Sequence, residues 1–222
     1  MTIFLPTVAQ AQFMGRPDRE VFLIGSEGSG KTVGLGLAAA QYHQKAGYHA
    51  LIIGPSYPFM AQPIFGLAAR FEDTYKALDG HFNRSHLEYT FESGATISFG
   101  YADLNEDPSG PSHWFHRYAA SEFGFIGFEG LHRLPQDAYL FLKSRLRVPP
   151  GAGFPLRIRA TFSPLNFQNS WVKDYAAENN IPVERSDTLP PNPYLSDELR
   201  QLLAAGPKPA APLFTNNETI GE

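Results

Sequence analysis

Val21-Phe22-Leu23-Ile24-Gly25-Ser26-Glu27-Gly28-Ser29-Gly30-Lys31-Thr32 is an apolar run that ends in a glycine-punctuated turn and closes on Gly-Lys-Thr. The spacing G-x-x-x-x-G-K-[ST] is that of a phosphate-binding P-loop, set between a buried strand and a helix. Gly25, Gly28 and Gly30 let the backbone bend tightly enough to aim N–H groups at phosphate oxygens. Ser26, Glu27 and Ser29 complete the loop. Lys31 supplies a point charge for the β- and γ-phosphates, and the Thr32 hydroxyl is a Mg²⁺ ligand. A helix starting near Lys31 turns its positive dipole end toward the same anion. At about 7% glycine the bare pattern arises by chance in roughly one chain in a hundred of this length. The strand before it and the helix after it make chance rarer still, so the sequence is read as nucleotide-binding.

The other apolar runs extend an α/β pattern outward from this stretch. A short helix follows Pro6, and residues 15–19 turn into the first strand. The helix after Thr32 stops at Gly47, and residues 48–54 form a second buried strand, giving a right-handed βαβ unit. Its small residues Gly34, Gly36 and Ala38 to Ala40 predict close packing on the sheet. Residues 61–79 have helical spacing. Residues 87–91 and 95–99 alternate around Ser93-Gly94, a hairpin signal. A polar, Gly- and Pro-containing loop covers 101–113. Residues 123–128 and 156–162 are further strands, with helices at 136–145, 171–178 and 196–205. The expected domain runs over 1–205, with 206–222 a Pro-rich linker or tail.

Composition sets outer bounds. The 222 residues are 43% hydrophobic and 18% charged, a balance that can bury a full core. There is no cysteine, which rules out disulfides and thiolate metal sites. The net charge of −4 offers no global attraction to nucleic acid. No run approaches the roughly 18 apolar residues of a membrane span. His113 and His116 lack zinc-ligand spacing.

The order of the pieces resembles the ATPase domain of the large terminase subunit of tailed bacteriophages, the motor that packages DNA. The resemblance covers about residues 5–200. It rests on the glutamine-containing first helix, the P-loop, Phe125-Ile126-Gly127-Phe128-Glu129, Leu142 to Arg147, Arg157 to Thr161, Trp171 and Pro191-Asn192-Pro193-Tyr194-Leu195. It implies an ASCE/RecA-like P-loop NTPase with a mostly parallel central sheet, flanking helices and an antiparallel hairpin. It also implies ATP and Mg²⁺ as cofactors and hydrolysis that is weak in isolation. The implied partners are double-stranded DNA, a portal protein and a small terminase subunit, with an active homo-oligomeric ring (a pentamer by resemblance) in the host cytoplasm.

By the same resemblance, Gln10 is the adenine contact; its other reading is a solvated helix residue. Glu129 is the carboxylate that holds Mg²⁺ at the end of the second deeply apolar strand, a sensible place beside the phosphates. Ser163 stands where the family has an amide-bearing coupling element. Arg145, Arg147 and Arg117 are candidates for an arginine reaching a neighbouring subunit's ATP. With Lys143, Arg157 and Arg159, the first two form the only dense basic stretch, which could instead contact DNA or simply face water.

The chain departs from the family pattern at Gly130, where the family has a glutamate that orients the attacking water. Loss of a general base costs typically ~10²–10⁴-fold, so the alternative function is a nucleotide-binding module with little or no hydrolysis. If only the carboxylate is missing, Gly130→Glu should raise turnover steeply. Glu122 lies seven residues from Glu129, roughly 23 Å along a strand, and cannot substitute. Glu27, Glu106, Asp107, or Glu129 itself with Mg²⁺ on Thr32, remain as substitutes. Terminases also continue into a nuclease half, so this chain is expected to be an excised domain or a shortened relative. A helicase-like ATPase would need motifs after the second strand that are not seen.

Overall fold

The computed structural model describes residues 6–62, 66–102, 114–148 and 150–186. The expected helix at 196–205, the Pro191–Leu195 stretch, the tail, and Glu106, Asp107 and His113 lie outside the described residues. Thr7 opens the first helix, α1 (Val8–Gly15), with a reciprocal cap: its hydroxyl accepts from the Gln10 N–H while the Gln10 side chain accepts from the Thr7 N–H. Strand β1 (Glu20–Ile24) leads into the P-loop and α2 (Lys31–Ala40), then β2 (His49–Gly54). Three short helices follow, α3 (Tyr57–Ala61), α4 (Leu67–Arg70) and α5 (Glu72–Lys76). The single helix expected over 61–79 is thus broken and shifted. Ser56 and Pro58 start a helix earlier, and the break from α4 to α5 falls at Phe71, whose ψ of 3° leaves the helical path.

The expected hairpin is present as β4 (Glu88–Thr90) and β5 (Thr96–Tyr101), and β3 (His81–Asn83) adds a strand the alternation did not reveal. The rest comprises α6 (Trp114–Ala119), β6 (Phe125–Glu129), a 3-10 turn (Leu131–Arg133), α7 (Gln136–Ser144), β7 (Arg157–Phe162), α8 (Pro164–Gln168), α9 (Trp171–Glu178) and β8 (Val183–Arg185).

The eight strands form one sheet in the order β3-β4-β5-β2-β6-β7-β1-β8. From β5 to β8 every pairing is parallel; β3 and β4 are antiparallel additions at one edge. Successive side chains of a strand point to opposite faces, and β1 divides accordingly. Phe22 and Ile24 join the core under α6, α7 and α9, whereas Val21 and Leu23 join the core under α1, α2, α4 and α5. Both faces are therefore covered, as an apolar parallel sheet requires. The glycines of α2 make room for neighbouring helices more than for the sheet: a Cβ at Gly36 would lie 2.1 Å from the Phe71 ring between α4 and α5, and one at Gly34 would lie 3.1 Å from Gln10 of α1.

The strand β7 corrects one expectation. Arg157 and Arg159 do not stand on an exposed face; α1 and the following turn cover them. Arg159 is fully buried and donates to the carbonyls of Phe13 (2.9 Å), Arg16 (2.8 Å), Asp18 (3.1 Å) and Ile158 (2.9 Å). Burial lowers its pKa but leaves it charged at neutral pH, and four carbonyl dipoles stand in for water. Arg157 donates to the Met14 carbonyl and the Gln41 side chain, both at 2.8 Å. Lys143 is likewise engaged internally, by Glu20 (2.5 Å) and the Tyr175 hydroxyl (2.8 Å). Most of the basic stretch is thus internal framework.

Candidate nucleotide site

The P-loop leaves the carboxyl end of β1 and returns as the first turn of α2. Gly25 N–H donates to the Phe162 carbonyl (3.1 Å), which ties the loop's start to β7. Gly30 caps α2 in the left-handed region at φ 82°, a conformation that costs any other residue about 1–2 kcal/mol. The ammonium of Lys31 donates to the Ser26 carbonyl (2.6 Å), which holds the side chain across the loop. The motif Gly25 to Thr32 therefore has the strand–turn–helix setting the sequence demanded.

Strand order brings the second half of the site to this loop. Because β7 lies between β1 and β6, the ends of all three strands meet at one edge, where open parallel sheets bind ligands. Register then matters: Glu129 ends β6 opposite Thr161 of β7. The Thr32 hydroxyl donates to Glu129 Oε1 (3.0 Å), and the Thr161 hydroxyl donates to Oε2 (2.9 Å). Protein atoms crowding this carboxylate push its pKa up, while the two hydroxyls and the charges of Lys31 and Arg70 pull the other way. A desolvated carboxylate beside a threonine hydroxyl is a hard-oxygen pair suited to Mg²⁺, which takes one or two carboxylates and otherwise relies on phosphate and water. Among the described residues no group of three or more His, Cys, Asp and Glu side chains could hold a metal by itself.

The cleft at this edge measures about 240 Å³ and is walled by the P-loop on one side and by Glu129, Gly130, His132, Arg133, Ser163 and Asn166 on the other. Glu27 lines it from the loop. Ser163 caps α8, its hydroxyl accepting from the Asn166 N–H at 3.4 Å. Gly130 adopts φ 74° at the end of β6. The glycine therefore serves a backbone turn and is more than a missing side chain.

Other expected site residues stand differently from the sequence reading. Gln10 is buried rather than solvated, and its amide donates to the Gly30 carbonyl (2.8 Å) while its oxygen accepts from the Thr7 N–H (2.8 Å). It braces the P-loop from behind. Arg145 and Arg147 flank the opposite end of β6, where Phe123 pairs with both their backbones. The length of β6 separates them from the cleft by roughly 17–20 Å. Their guanidiniums donate to the carbonyls of Ala119 (2.7 Å) and Ser144 (2.9 Å). Arg117 lies over the Tyr101 ring, 4.3 Å from its centroid. The structure thus gathers Lys31, Thr32 and Glu129, and places none of the three arginines in the chain's own cleft.

Sequence reasoning missed Thr161, His132, Arg133, Asn166 and Ser186. The Ser186 hydroxyl, just after β8, lies within hydrogen-bond distance of the Ile24 carbonyl (3.2 Å) and the Ser29 hydroxyl (2.7 Å), pinning the P-loop. Strand pairing would have exposed Thr161, since it is the partner of Glu129; Ser186 carries no local signal.

No protein-family model and no curated protein matches the sequence. Solved structures do match. The large terminase of a thermophilic bacteriophage aligns over 92% of this chain and 51% of its own, at 13% identity and a TM-score of 0.62. The same phage protein in complex with ATP-gamma-S aligns at 12% identity and a TM-score of 0.61, over 92% of this chain and 50% of its own. The large terminase ATPase domain of Thermus phage P74-26 aligns over 74% of this chain and 69% of its own, at 12% identity and a TM-score of 0.52. The chain spans about half the length of the first of these terminases. Its fold, a mostly parallel eight-stranded sheet between two helical layers, is that of the large terminase ATPase domains.

Proposed function

We propose that this chain binds and hydrolyses ATP as the motor domain of a viral DNA-packaging terminase. The observation that carries the reading is the convergence of Lys31, Thr32 and Glu129 at the carboxyl edge of a terminase-like sheet, with Thr32 and Glu129 joined at 3.0 Å. In this reading the N–H groups of Gly25 to Thr32 cradle the phosphates and Lys31 neutralises their charge. Thr32 and Glu129 would hold Mg²⁺, which would supply Lewis-acid neutralisation of phosphate charge. Thr161 keeps the Glu129 carboxylate turned to the cleft, and Gln10 and Ser186 keep the loop rigid beneath the ligand. An arginine from a neighbouring subunit completes the site, with Arg145, Arg147 and Arg117 at distant surfaces suited to such a trans role. Double-stranded DNA, a portal protein and a small terminase subunit are the partners, in a ring in the host cytoplasm.

Binding of ATP-gamma-S with and without Mg²⁺ tests the reading by calorimetry. Micromolar binding that Lys31→Ala abolishes supports it; binding indifferent to Lys31 sinks it. A second reading, a nucleotide-binding module with slow or no hydrolysis, draws on Gly130, which puts no carboxylate next to Glu129. Turnover indistinguishable from buffer, alongside intact binding, would select it.

A further inference from the structure

The cleft holds a basic side chain that the P-loop chemistry does not use. Strand β6 delivers Glu129, the left-handed Gly130 reverses the chain, and Leu131, buried in the core, anchors the 3-10 turn. The turn is closed by the Arg133 N–H donating to the Gly130 carbonyl (3.0 Å) and fastened to β7 by the Gly130 N–H donating to the Thr161 carbonyl (3.1 Å). This reversal carries His132 back into the cleft lined by Lys31, Thr32 and Glu129. A Cβ built at Gly130 would lie 3.3 Å from His132 Cε1. The imidazole therefore stands beside the space where a side chain at position 130 would begin. Its Nδ1 is buried without a hydrogen-bond partner, whereas Nε2 is not sealed in this way. The neutral ring that presents Nε2 as an acceptor carries its one proton on this Nδ1, and the buried, unpartnered N–H is the cost of that tautomer.

We propose that His132 is the catalytic residue that takes the proton of the attacking water, in the role vacated at position 130. The inference rests on the ATPase reading above. In the step, the water oxygen forms a new bond to the γ-phosphorus as the bond from that phosphorus to the ADP oxygen breaks. The water's proton passes to Nε2, and the products are ADP and inorganic phosphate; the imidazolium then returns its proton to solvent. The surroundings keep the ring able to accept: burial and the adjacent Arg133 charge both depress its pKa, so it is neutral at pH 7. Glu27 reaches the same cleft from the P-loop and is the competing base that the experiment separates from His132.

The test measures ATP-gamma-S affinity and steady-state phosphate release for the full chain, His132→Ala, His132→Gln and Glu27→Gln. The expected result is a loss of turnover of about 10²-fold in His132→Ala, with ATP-gamma-S affinity within about threefold. Added imidazole should restore part of the rate in His132→Ala, and not in Lys31→Ala; a purely structural role would show no such rescue. His132→Gln should recover little, since an amide can orient water but not take its proton. Unchanged turnover in His132→Ala, or a loss confined to Glu27→Gln, overturns the assignment while leaving the ATPase reading intact. Nucleotide binding without any turnover in the parent chain also overturns it. Failure to bind ATP-gamma-S at all would instead remove the reading on which it depends.

Discussion

Two left-handed glycines flank the candidate site, and they differ in what they reveal. Gly30, at φ 82°, precedes Lys31 and opens α2; Gly130, at φ 74°, follows Glu129 and opens the 3-10 turn. Both let the chain turn sharply beside a chemistry-bearing residue. Gly30 is visible in the sequence because a motif surrounds it. Gly130 reads there as the loss of a glutamate, and only its backbone angle discloses that it reverses the chain and returns His132 to the cleft. An absent side chain can thus mark a backbone turn as readily as a lost function.

Breaking the Gly30 wall should produce the largest effect. Lys31→Ala should lower Mg²⁺-dependent turnover by about 10²–10³-fold, the scale of removing a preorganised charge from a reacting oxygen. Its urea midpoint should barely move, because the Lys31 ammonium is held by its own loop. On the other wall, Thr161→Val removes the hydroxyl that holds Glu129 Oε2 while keeping the shape. A titration of turnover against Mg²⁺ should shift by about 10–100-fold, as for other partners that orient a metal ligand. No shift would mean that Glu129 needs no orienting partner.

The glycines themselves can be compared directly. Gly30→Ala and Gly130→Ala should each destabilise by about 1–2 kcal/mol in urea unfolding, since both place a Cβ in the left-handed region. They should part company in binding, where only Gly30→Ala weakens ATP-gamma-S. Gly130→Glu carries the same strain. Its turnover should therefore fail to show the steep rise expected if a carboxylate were all that was missing.

The smallest effect concerns Glu129 and acidity. Its folded pKa is raised above the ordinary 4.5 by crowding, so the folded state holds the proton more tightly than the unfolded chain does. The stability this confers is present below pH 4.5 and is lost as pH rises through the raised folded value. Glu129→Gln escapes that loss. Without nucleotide it should melt above the parent at neutral pH, with the difference shrinking in acid; a lower melting temperature at pH 7 would contradict the crowding.

Much of the fold was legible because its signals are local. The apolar run before Gly25, the helix stop at Gly47 and the Ser93-Gly94 turn each lie within a few residues of what they specify. The small residues of α2 announced a close neighbour without saying that at Gly36 it is Phe71 and not the sheet, and β6 announced Glu129 as the polar end of an apolar strand. The basic stretch misled because charge in a sequence carries no sign of what covers it. Arg159 looks like Arg147 on paper, yet one is wrapped by the carbonyls of Phe13, Arg16, Asp18 and Ile158, and the other lies exposed at a strand's start. Gln10's buried hold on the Gly30 carbonyl required the packing of α1 against α2, which the sequence reading of Gln10 as an adenine contact or a solvated helix residue did not contain.

What the sequence determined by itself is the P-loop, since Gly25 to Thr32 contains the bend, the charge and the hydroxyl in one contiguous segment. The remainder of the site was decided by tertiary structure. Thr32 and Glu129 are 97 residues apart, and Glu129 and Thr161 are 32 apart. They meet because β7 inserts between β1 and β6 in one register. Pairing energy of that kind depends on which strands lie side by side, so no window of the chain contains it.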